Sequence, residues 1–456
     1  MNIKNNSKYV KKNDIFICTH DSLEDRHKYI KDIKQASAII VDKDINIKKN
    51  IPIIKVNNTN DTMFQIYNEY YQKPLESLNI IGITGTDGKT TTAYIINEIM
   101  NLIDTSAYLG TLGFIYKNNK IDTPNTTVEI SKLLEYAYAL KKENIKNLVM
   151  EISSEGLLHN RCNNINLKRA IITNITGDHL NVHKTFENYL NSKLKIIDLL
   201  QEKVLITNID DISYEYIKNK SKQKRIKVIT YGLHKKADYQ IRYYRLTNQK
   251  THFTLKHKNK EYSIESPLLG KFNIYNLTAA IITINSLGID TEKIIELIKK
   301  IKPIPGRMNT FITNKGSNII LDYAHTINAT KSVLEFANQT KKGKIITVVG
   351  CAGGREKEKR KEIGKLVTEL SDKVIFTMDD PRYEKVKDIV NDMLKEVNVD
   401  NYFYIKNRKS AIKEAITLAN KNDTILILGK GTDNYMAIKN KYKKYNDLNT
   451  IKKYTK

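Results

Sequence analysis

The chain alternates short, wholly apolar runs with longer segments that are apolar along one side only. The runs predict buried strands at Ile15–Cys18, Ala38–Val41, Asn79–Thr84, Leu148–Ile152, Ala170–Thr173, Lys203–Thr207, Lys227–Thr230, Lys344–Val349, Lys373–Thr377 and Thr424–Leu428. In Lys89–Ile103, the residues Ile95, Ile96, Ile99, Met100 and Ile103 share one helical face. In Glu187–Leu200, Tyr189, Leu190, Leu194, Ile197 and Leu200 do nearly the same. Strands that alternate with amphipathic helices predict an α/β fold built on parallel sheets. No apolar run approaches the roughly 18–20 residues of a membrane span, and no internal repeat is visible. Polar Asn57–Asp61 and Lys73-Pro74 mark one boundary, and Lys302-Pro303-Ile304-Pro305-Gly306, the stretch densest in Pro and Gly, reads as a linker. Three domains are therefore expected, at residues 1–75, 76–303 and 304–456.

Composition narrows the classes. Of 456 residues, 40% are hydrophobic, which excludes a generally disordered chain. The formal charge of +26 admits a nucleic-acid binder. However, the lysines are spread along the whole chain, and Lys, Asn, Ile and Tyr, all with AT-rich codons, are abundant. No specific nucleic-acid partner is expected, although the charge favours anionic ligands in a cleft. Met1–Asp14 lacks an apolar signal core. Cys18, Cys162 and Cys351 are odd in number and far apart, unlike a disulfide framework or zinc knuckle. A cytoplasmic chain, monomeric and without a membrane span, is the expectation.

The strongest chemical signal is Gly82-Ile83-Thr84-Gly85-Thr86-Asp87-Gly88-Lys89-Thr90-Thr91, where an apolar strand enters a glycine turn and Gly-Lys-Thr opens a helix. Glycines let backbone N–H groups close around phosphate oxygens, and the helix N-terminus adds partial positive charge. Lys89 would reach the β- and γ-phosphates and Thr90 a Mg²⁺. Ile83 occupies the first glycine position of the usual phosphate-loop spacing. Glu151 ends the strand Leu148–Ile152, at a sheet edge where ligands bind, and is a natural second Mg²⁺ ligand. A third segment, Thr173-Asn174-Ile175-Thr176-Gly177-Asp178-His179-Leu180-Asn181-Val182-His183, follows a strand, and Lys193 comes ten residues after His183.

These segments resemble the ATP-binding core of the Mur ligases, the ATP-dependent amide ligases of peptidoglycan synthesis. The resemblance runs on through Gly270-Lys271-Phe272-Asn273-Ile274-Tyr275-Asn276, Pro305-Gly306-Arg307-Met308, Asp322-Tyr323-Ala324-His325, Gly350-Cys351-Ala352-Gly353-Gly354-Arg355-Glu356-Lys357, Asp379-Asp380-Pro381-Arg382 and Gly429-Lys430-Gly431, in the family's order. The Asp-x-Pro-Arg and Gly-Arg-Glu-Lys segments are most similar to the branch that adds a third amino acid to UDP-N-acetylmuramoyl-L-alanyl-D-glutamate. The resemblance implies a small α/β N-terminal domain for the UDP-sugar, a central P-loop ATPase and a Rossmann-like C-terminal domain for the amino acid. It implies ATP and Mg²⁺, with Gly85, Thr86, Asp87, Gly88, Lys89, Thr90, Thr91, Asn276, Arg307, Asp322 and His325 at the nucleotide. Thr90, Glu151, His179 and Lys193 would serve the metal, Lys193 as a carbamate, and Lys89, Glu151, His179 and Lys193 would be catalytic. It places the muramoyl dipeptide at Ser7, Asn125, Thr126, Thr127, Ser153 and Arg161, and the dibasic amino acid at Asp379, Asp380, Arg382, Gly429 and Asp433. Because Arg307 and Asp322 lie beyond the linker, the ATP site should be complete only when the C-terminal domain closes.

Several residues depart from the family's pattern. Asn6-Ser7-Lys8 stands for Asp-Ser-Arg at the uridine end, Asp25-Arg26-His27-Lys28-Tyr29-Ile30 being the better match in that domain. Glu155 stands for a His, Gly177 for an Arg, Asp380 for an Asn, and Thr432-Asp433 for His-Glu. Meso-diaminopimelate is the expected third amino acid because Arg382 matches a second carboxylate, with L-lysine or ornithine open as alternatives. Other readings are a folylpolyglutamate-synthetase-like ligase with another acceptor, a basic nucleic-acid-binding P-loop ATPase, and a non-catalytic relative. The first leaves the N-terminal domain and Asp379–Arg382 unexplained, the second lacks clustered basic and stacking residues, and the third is opposed by Lys89, Glu151, His179 and Lys193.

Overall fold

The computed structural model describes residues 3–20, 24–46, 50–177 and 180–455, the side chains of Leu180 and Asn181 apart. Among these residues the strands form four sheets. Ile3–Lys4, Ile15–Ile17, Ala38–Val41 and Ile53–Lys55 make a parallel four-stranded sheet in chain order. A central sheet of eleven strands spans residues 79–266. Its middle is parallel, in the order Tyr239–Leu246, Lys227–Gly232, Val204–Asn208, Arg169–Ile172, Asn79–Thr84, Asn147–Glu151, Ser106–Gly110. Antiparallel hairpins extend both ends. The third sheet runs Asn309–Ile312, Asn318–Asp322, Thr424–Leu428, Ile345–Val349, Lys373–Phe376, Tyr402–Tyr404, parallel except for its first strand. The fourth is the hairpin Tyr435–Ile438 with Lys441–Lys444.

Unbroken apolar runs become central strands because both faces of each large sheet are covered. In the strands of the central sheet, Ile80, Leu148, Met150, Ala170 and Ile172 enter one core, while Ile81, Ile83, Val149 and Ile171 enter the other. The third sheet divides in the same way, Ile320, Leu426 and Leu428 against Ile319, Ile425 and Ile427. All ten expected strands form, within two residues of their expected limits. The helix Lys89–Ile103 forms as expected. The expected helix at Glu187–Leu200 is shorter, an α-helix at Phe186–Leu194 followed by a 3₁₀ turn at Lys195–Leu199.

Strand order sets the site. From Asn79–Thr84 the chain crosses to one side of the sheet, and Arg169–Ile172 returns on the other side. The loops after these two adjacent strands thus leave the sheet at a switch point, where a crevice opens at the carboxyl edge. The carboxyl edge of the third sheet carries the loops after Asp322, Val349, Phe376 and Leu428.

Candidate active site

The loop after Asn79–Thr84 is built for close approach. Gly88 has φ +85°, and a Cβ there would lie 2.5 Å from Asn276 Oδ1. Gly85 packs so tightly on Thr173 that a Cβ would collide with its hydroxyl. The neighbouring loop clamps the turn. Thr86 N donates to Asn174 O (2.8 Å), Asp87 N to Asn174 Oδ1 (2.9 Å), and Thr173 Oγ1 to Asp87 O (2.6 Å). Two lysines meet over this turn. Lys89 Nζ donates to Gly85 O and Thr86 O, both at 2.9 Å, and Lys193 Nζ donates to the same Gly85 O at 2.6 Å. Lys193 is 1% exposed and lies over the Tyr189 ring, with 4.6 Å to its centroid. Two ammonium groups brought to one glycine turn at a helix start suit an anion such as phosphate.

Glu151 is wholly buried behind this cradle. Its Oε2 accepts from Thr90 Oγ1 (2.9 Å) and Thr111 Oγ1 (3.2 Å), and its Oε1 from Thr111 N (2.9 Å) and the Tyr108 hydroxyl. A hydroxyl and a carboxylate side by side at the mouth of a phosphate loop are hard oxygen donors. They fit Mg²⁺, which takes one or two protein oxygens and completes its shell with phosphates and water. His179 lies outside the described residues. His183 is buried, its Nε2 lies 3.0 Å from Ser154 Oγ, and burial, with Lys193 nearby, lowers its pKa.

These residues line a cavity of about 440 Å³ between the central and third sheets. Lys89, Thr90, Glu151, Ser153, Arg161 and Lys193 share it with Arg307, His325, Asp379, Asp380, Arg382, Gly429 and Asp433. Asn125 and Thr126 are in its wall, whereas Thr127 is turned inward and 1% exposed. The Thr127 hydroxyl donates to Glu151 O (3.1 Å) and accepts from Ser153 N (2.9 Å), which makes it a brace for the loop rather than the expected ligand contact. Ser153 Oγ accepts from Gly156 N (3.0 Å) and caps the next helix. Arg161 donates to Glu129 Oε1 (3.1 Å) and Thr127 O (3.3 Å). It also borders a smaller cleft, lined by Asn5, His20, Arg26 and Asn60 of the N-terminal sheet. That cleft wall takes Asn5, not the expected Ser7. His27, in the better-matching segment, is held by Asp25 (2.6 Å) and Asp42 (3.2 Å), which leaves Arg26 as that segment's contribution to the cleft.

A second cavity, about 380 Å³, adjoins Asp87, Gly88 and Thr91 and is lined by Asn276, Arg307 and Asp322. Asn276 accepts from Thr92 Oγ1 (3.2 Å) and donates to Asn273 Oδ1 (3.0 Å). Asp322 accepts from Met308 N and Ala324 N, both at 2.8 Å, while burial raises its pKa. Among the described residues, two side chains donate across between the large sheets. Arg307 donates to Thr90 Oγ1 (3.4 Å), and Thr326 Oγ1 donates to both Asp87 oxygens (3.2 Å). His325 is exposed, its Nδ1 2.9 Å from Tyr323 O.

The far wall is a charge cluster. Lys430, with no side-chain exposure, lies 2.9 Å from Asp380, 3.4 Å from Asp433 and 3.7 Å from Asp379. Burial and the other two carboxylates push Asp433 up to about 6, against the pull of Lys430. Arg382 is pinned through its backbone, N to Ala437 O (3.0 Å) and O from Lys439 N (2.8 Å). Among the described residues neither its guanidinium nor that of Arg355 has an ion-pair partner, and both face the cavity. The arrangement pairs an acidic end, fit for an ammonium, with a guanidinium end, fit for carboxylates. Sequence reading missed Tyr108 and Thr111, and placed Thr326 and Lys430 only within the matching segments Asp322–Thr326 and Gly429–Gly431, without a role. Thr111 carried a faint signal, a Gly-Thr-Leu-Gly turn after an apolar strand, and Tyr108 carried none.

Comparison with known proteins agrees with this geometry. The Mur ligase middle domain matches residues 83–284, and the Mur ligase glutamate ligase domain matches residues 306–431. A UDP-N-acetylmuramoyl-L-alanyl-D-glutamate–2,6-diaminopimelate ligase of Clostridium botulinum is 35% identical over 462 residues, covering 100% of this chain and 95% of that protein. A solved structure of a ligase of the same name superposes with a TM-score of 0.71 at 27% identity, covering 100% of this chain and 94% of that one. Mycobacterium tuberculosis folylpolyglutamate synthase, complexed with ADP and AMPPCP, has a TM-score of 0.68 at 16% identity and covers 81% of this chain and 92% of its own. That last likeness is one of fold, whereas the first runs the whole length of the chain at an identity that unrelated chains do not reach, and the chain belongs to the Mur ligase family.

Proposed function

We propose that this chain is an ATP-dependent, ADP-forming ligase that joins meso-diaminopimelate to the D-glutamyl carboxylate of UDP-N-acetylmuramoyl-L-alanyl-D-glutamate. The observation that carries the reading is the single cavity in which a phosphate cradle faces a wall with ammonium- and carboxylate-binding ends. Joining a carboxylate to an amine in water is uphill. ATP removes that barrier by phosphorylating the carboxylate; the amine then attacks the acyl phosphate, a tetrahedral intermediate forms, and phosphate leaves.

Lys89 would follow the moving γ-phosphoryl group, and Arg307 would neutralise it from the C-terminal side. Mg²⁺ would be held by Thr90, Glu151 and, as the family resemblance implies, His179, and would supply charge neutralisation at the phosphates. Lys193 would act as a carbamate. The family resemblance implies this, and a carbamate would give the site an anion suited to a metal. Asn276 and Asp322 would border the nucleoside in the second cavity, with His325 at the cavity rim. Asn125, Thr126, Ser153 and Arg161 would hold the dipeptide, with the UDP end in the Arg26 cleft. Arg382 and Arg355 would take the carboxylates of diaminopimelate, and Asp433, beside Gly429, its distal ammonium. No helix among the described residues is long and apolar enough to cross a membrane, and we place the reaction in the cytoplasm, where UDP-linked substrates and ATP are available.

The test is phosphate release with ATP and the UDP-dipeptide, with diaminopimelate, lysine and ornithine in direct competition. Diaminopimelate should win in the native enzyme. Arg382→Ala should lower its kcat/KM by roughly 10- to 100-fold, as the loss of hydrogen bonds to a charged group implies, and leave lysine nearly unchanged. Faster use of lysine by the native enzyme, or an Arg382→Ala variant that keeps its diaminopimelate rate, would overturn the assignment.

A further inference from the structure

Behind the metal-binding carboxylate stands a tyrosine that neither the phosphate loop nor the substrate walls require. Tyr108 lies on the strand Ser106–Gly110, directly beside Asn147–Glu151, and is in parallel register with Val149. Glu151, two residues beyond Val149, therefore projects from the same face of the sheet as Tyr108. The Tyr108 ring is wholly buried in the core that also holds Val149 and Ile95, edge-on to Tyr94 at 6.3 Å between centroids. A phenylalanine would fill that space equally well, so packing does not explain the hydroxyl. The hydroxyl has two partners. It accepts a long bond from Leu112 N (3.3 Å) and donates to Glu151 Oε1.

The two oxygens of Glu151 are thereby divided. Oε1 is held by Tyr108 and by Thr111 N (2.9 Å), both at the rear. Oε2 faces forward to Thr90 Oγ1 (2.9 Å) and Thr111 Oγ1 (3.2 Å). A flexible glutamate has several rotamers, and a carboxylate held at one oxygen presents the other in one direction. Gly110 makes room for this posture, since a Cβ there would lie 2.7 Å from both Cγ and Cδ of Glu151.

We propose that Tyr108 is a positioning residue for the Mg²⁺ site, whose hydroxyl fixes Glu151 Oε1 so that Oε2 stays aimed beside Thr90. The proposal rests on the reading of this cavity as an ATP–Mg²⁺ site. Partners behind metal ligands commonly govern affinity by roughly 10- to 100-fold.

The experiment is calorimetry of ADP binding to the full-length enzyme, first in EDTA and then across a series of Mg²⁺ concentrations, which yields the Mg²⁺ midpoint for enhanced ADP binding. Tyr108→Phe should bind ADP like the native enzyme in EDTA, while its Mg²⁺ midpoint rises about tenfold. The KM values for diaminopimelate and the UDP-dipeptide should not move, and saturating Mg²⁺ should restore most of kcat. Gly110→Ala, whose Cβ would press on Glu151 Oε1, the oxygen that Tyr108 holds, should raise the same midpoint. An unchanged midpoint in Tyr108→Phe overturns the proposal, whether or not Gly110→Ala responds. If the native enzyme shows no Mg²⁺-dependent ADP binding, the ATP–Mg²⁺ reading itself fails, which is a different result.

Discussion

Replacing Lys430 with methionine removes a cation that lies within 4 Å of three carboxylates while nearly keeping the side-chain volume. Its ammonium lies 2.9, 3.4 and 3.7 Å from Asp380, Asp433 and Asp379. At an effective dielectric near 20, attractions at such distances are each ~4–6 kcal/mol before the cost of desolvation. That cost is large for a lysine with no side-chain exposure, and breaking a buried pair by deleting one partner typically removes about 3–5 kcal/mol. The loss must depend on pH. Burial already raises the pKa of Asp379, and burial with two neighbouring carboxylates raises that of Asp433 to about 6. Without Lys430 both rise further above their unfolded values near 4. A carboxyl whose folded pKa is raised binds its proton more tightly when folded, so stability falls as pH rises through the window between the two values. The deficit of Lys430→Met should therefore be largest above pH 7 and smaller at pH 5.5, where the carboxylates take up protons. Hydrogen exchange of the strand Thr424–Leu428, next to the cluster, reads the opening free energy of this sheet alone and avoids a single global melting point for a chain of several units. We expect a loss of about 3–5 kcal/mol at pH 7.5 and less than half of that at pH 5.5. A loss below about 1 kcal/mol at pH 7.5, or equal losses at the two pH values, would refute the view that Lys430 holds this wall together by charge.

Lys89→Ala should leave the fold intact and cut ATP-dependent phosphate release by at least ~10²-fold; near-normal turnover in a folded variant would remove the phosphate-loop assignment. Lys193→Ala should be nearly inactive and partly rescued by a short carboxylic acid in solution, which would supply the missing anion. Mass spectrometry that finds no carbon dioxide adduct on native Lys193, together with failure of the rescue, would count against the carbamate.

What the sequence determined by itself was everything encoded locally. Two-faced burial requires continuous apolar runs, so the central strands Asn79–Thr84, Arg169–Ile172 and Thr424–Leu428 were legible. A positive-φ glycine before Lys-Thr at a helix start is likewise a local requirement, so the phosphate loop was visible at Gly85 and Gly88. The strands Tyr239–Leu246, Thr251–His257 and Lys260–Ser266, at one end of the central sheet, escaped notice because their partly exposed face carries Arg, Lys and Glu. Tertiary structure alone decided which polar groups meet. Tyr108 and Glu151 are 43 residues apart, Lys430 and Asp380 50, and Arg307 and Thr90 217. It also turned Thr127, which sits in a segment matching the substrate site, into a brace for Ser153. Hydrogen bonds and ion pairs of this kind depend on strand order and register, which fix directions to a few tenths of an ångström, and residue identity along the chain carries no record of that distance.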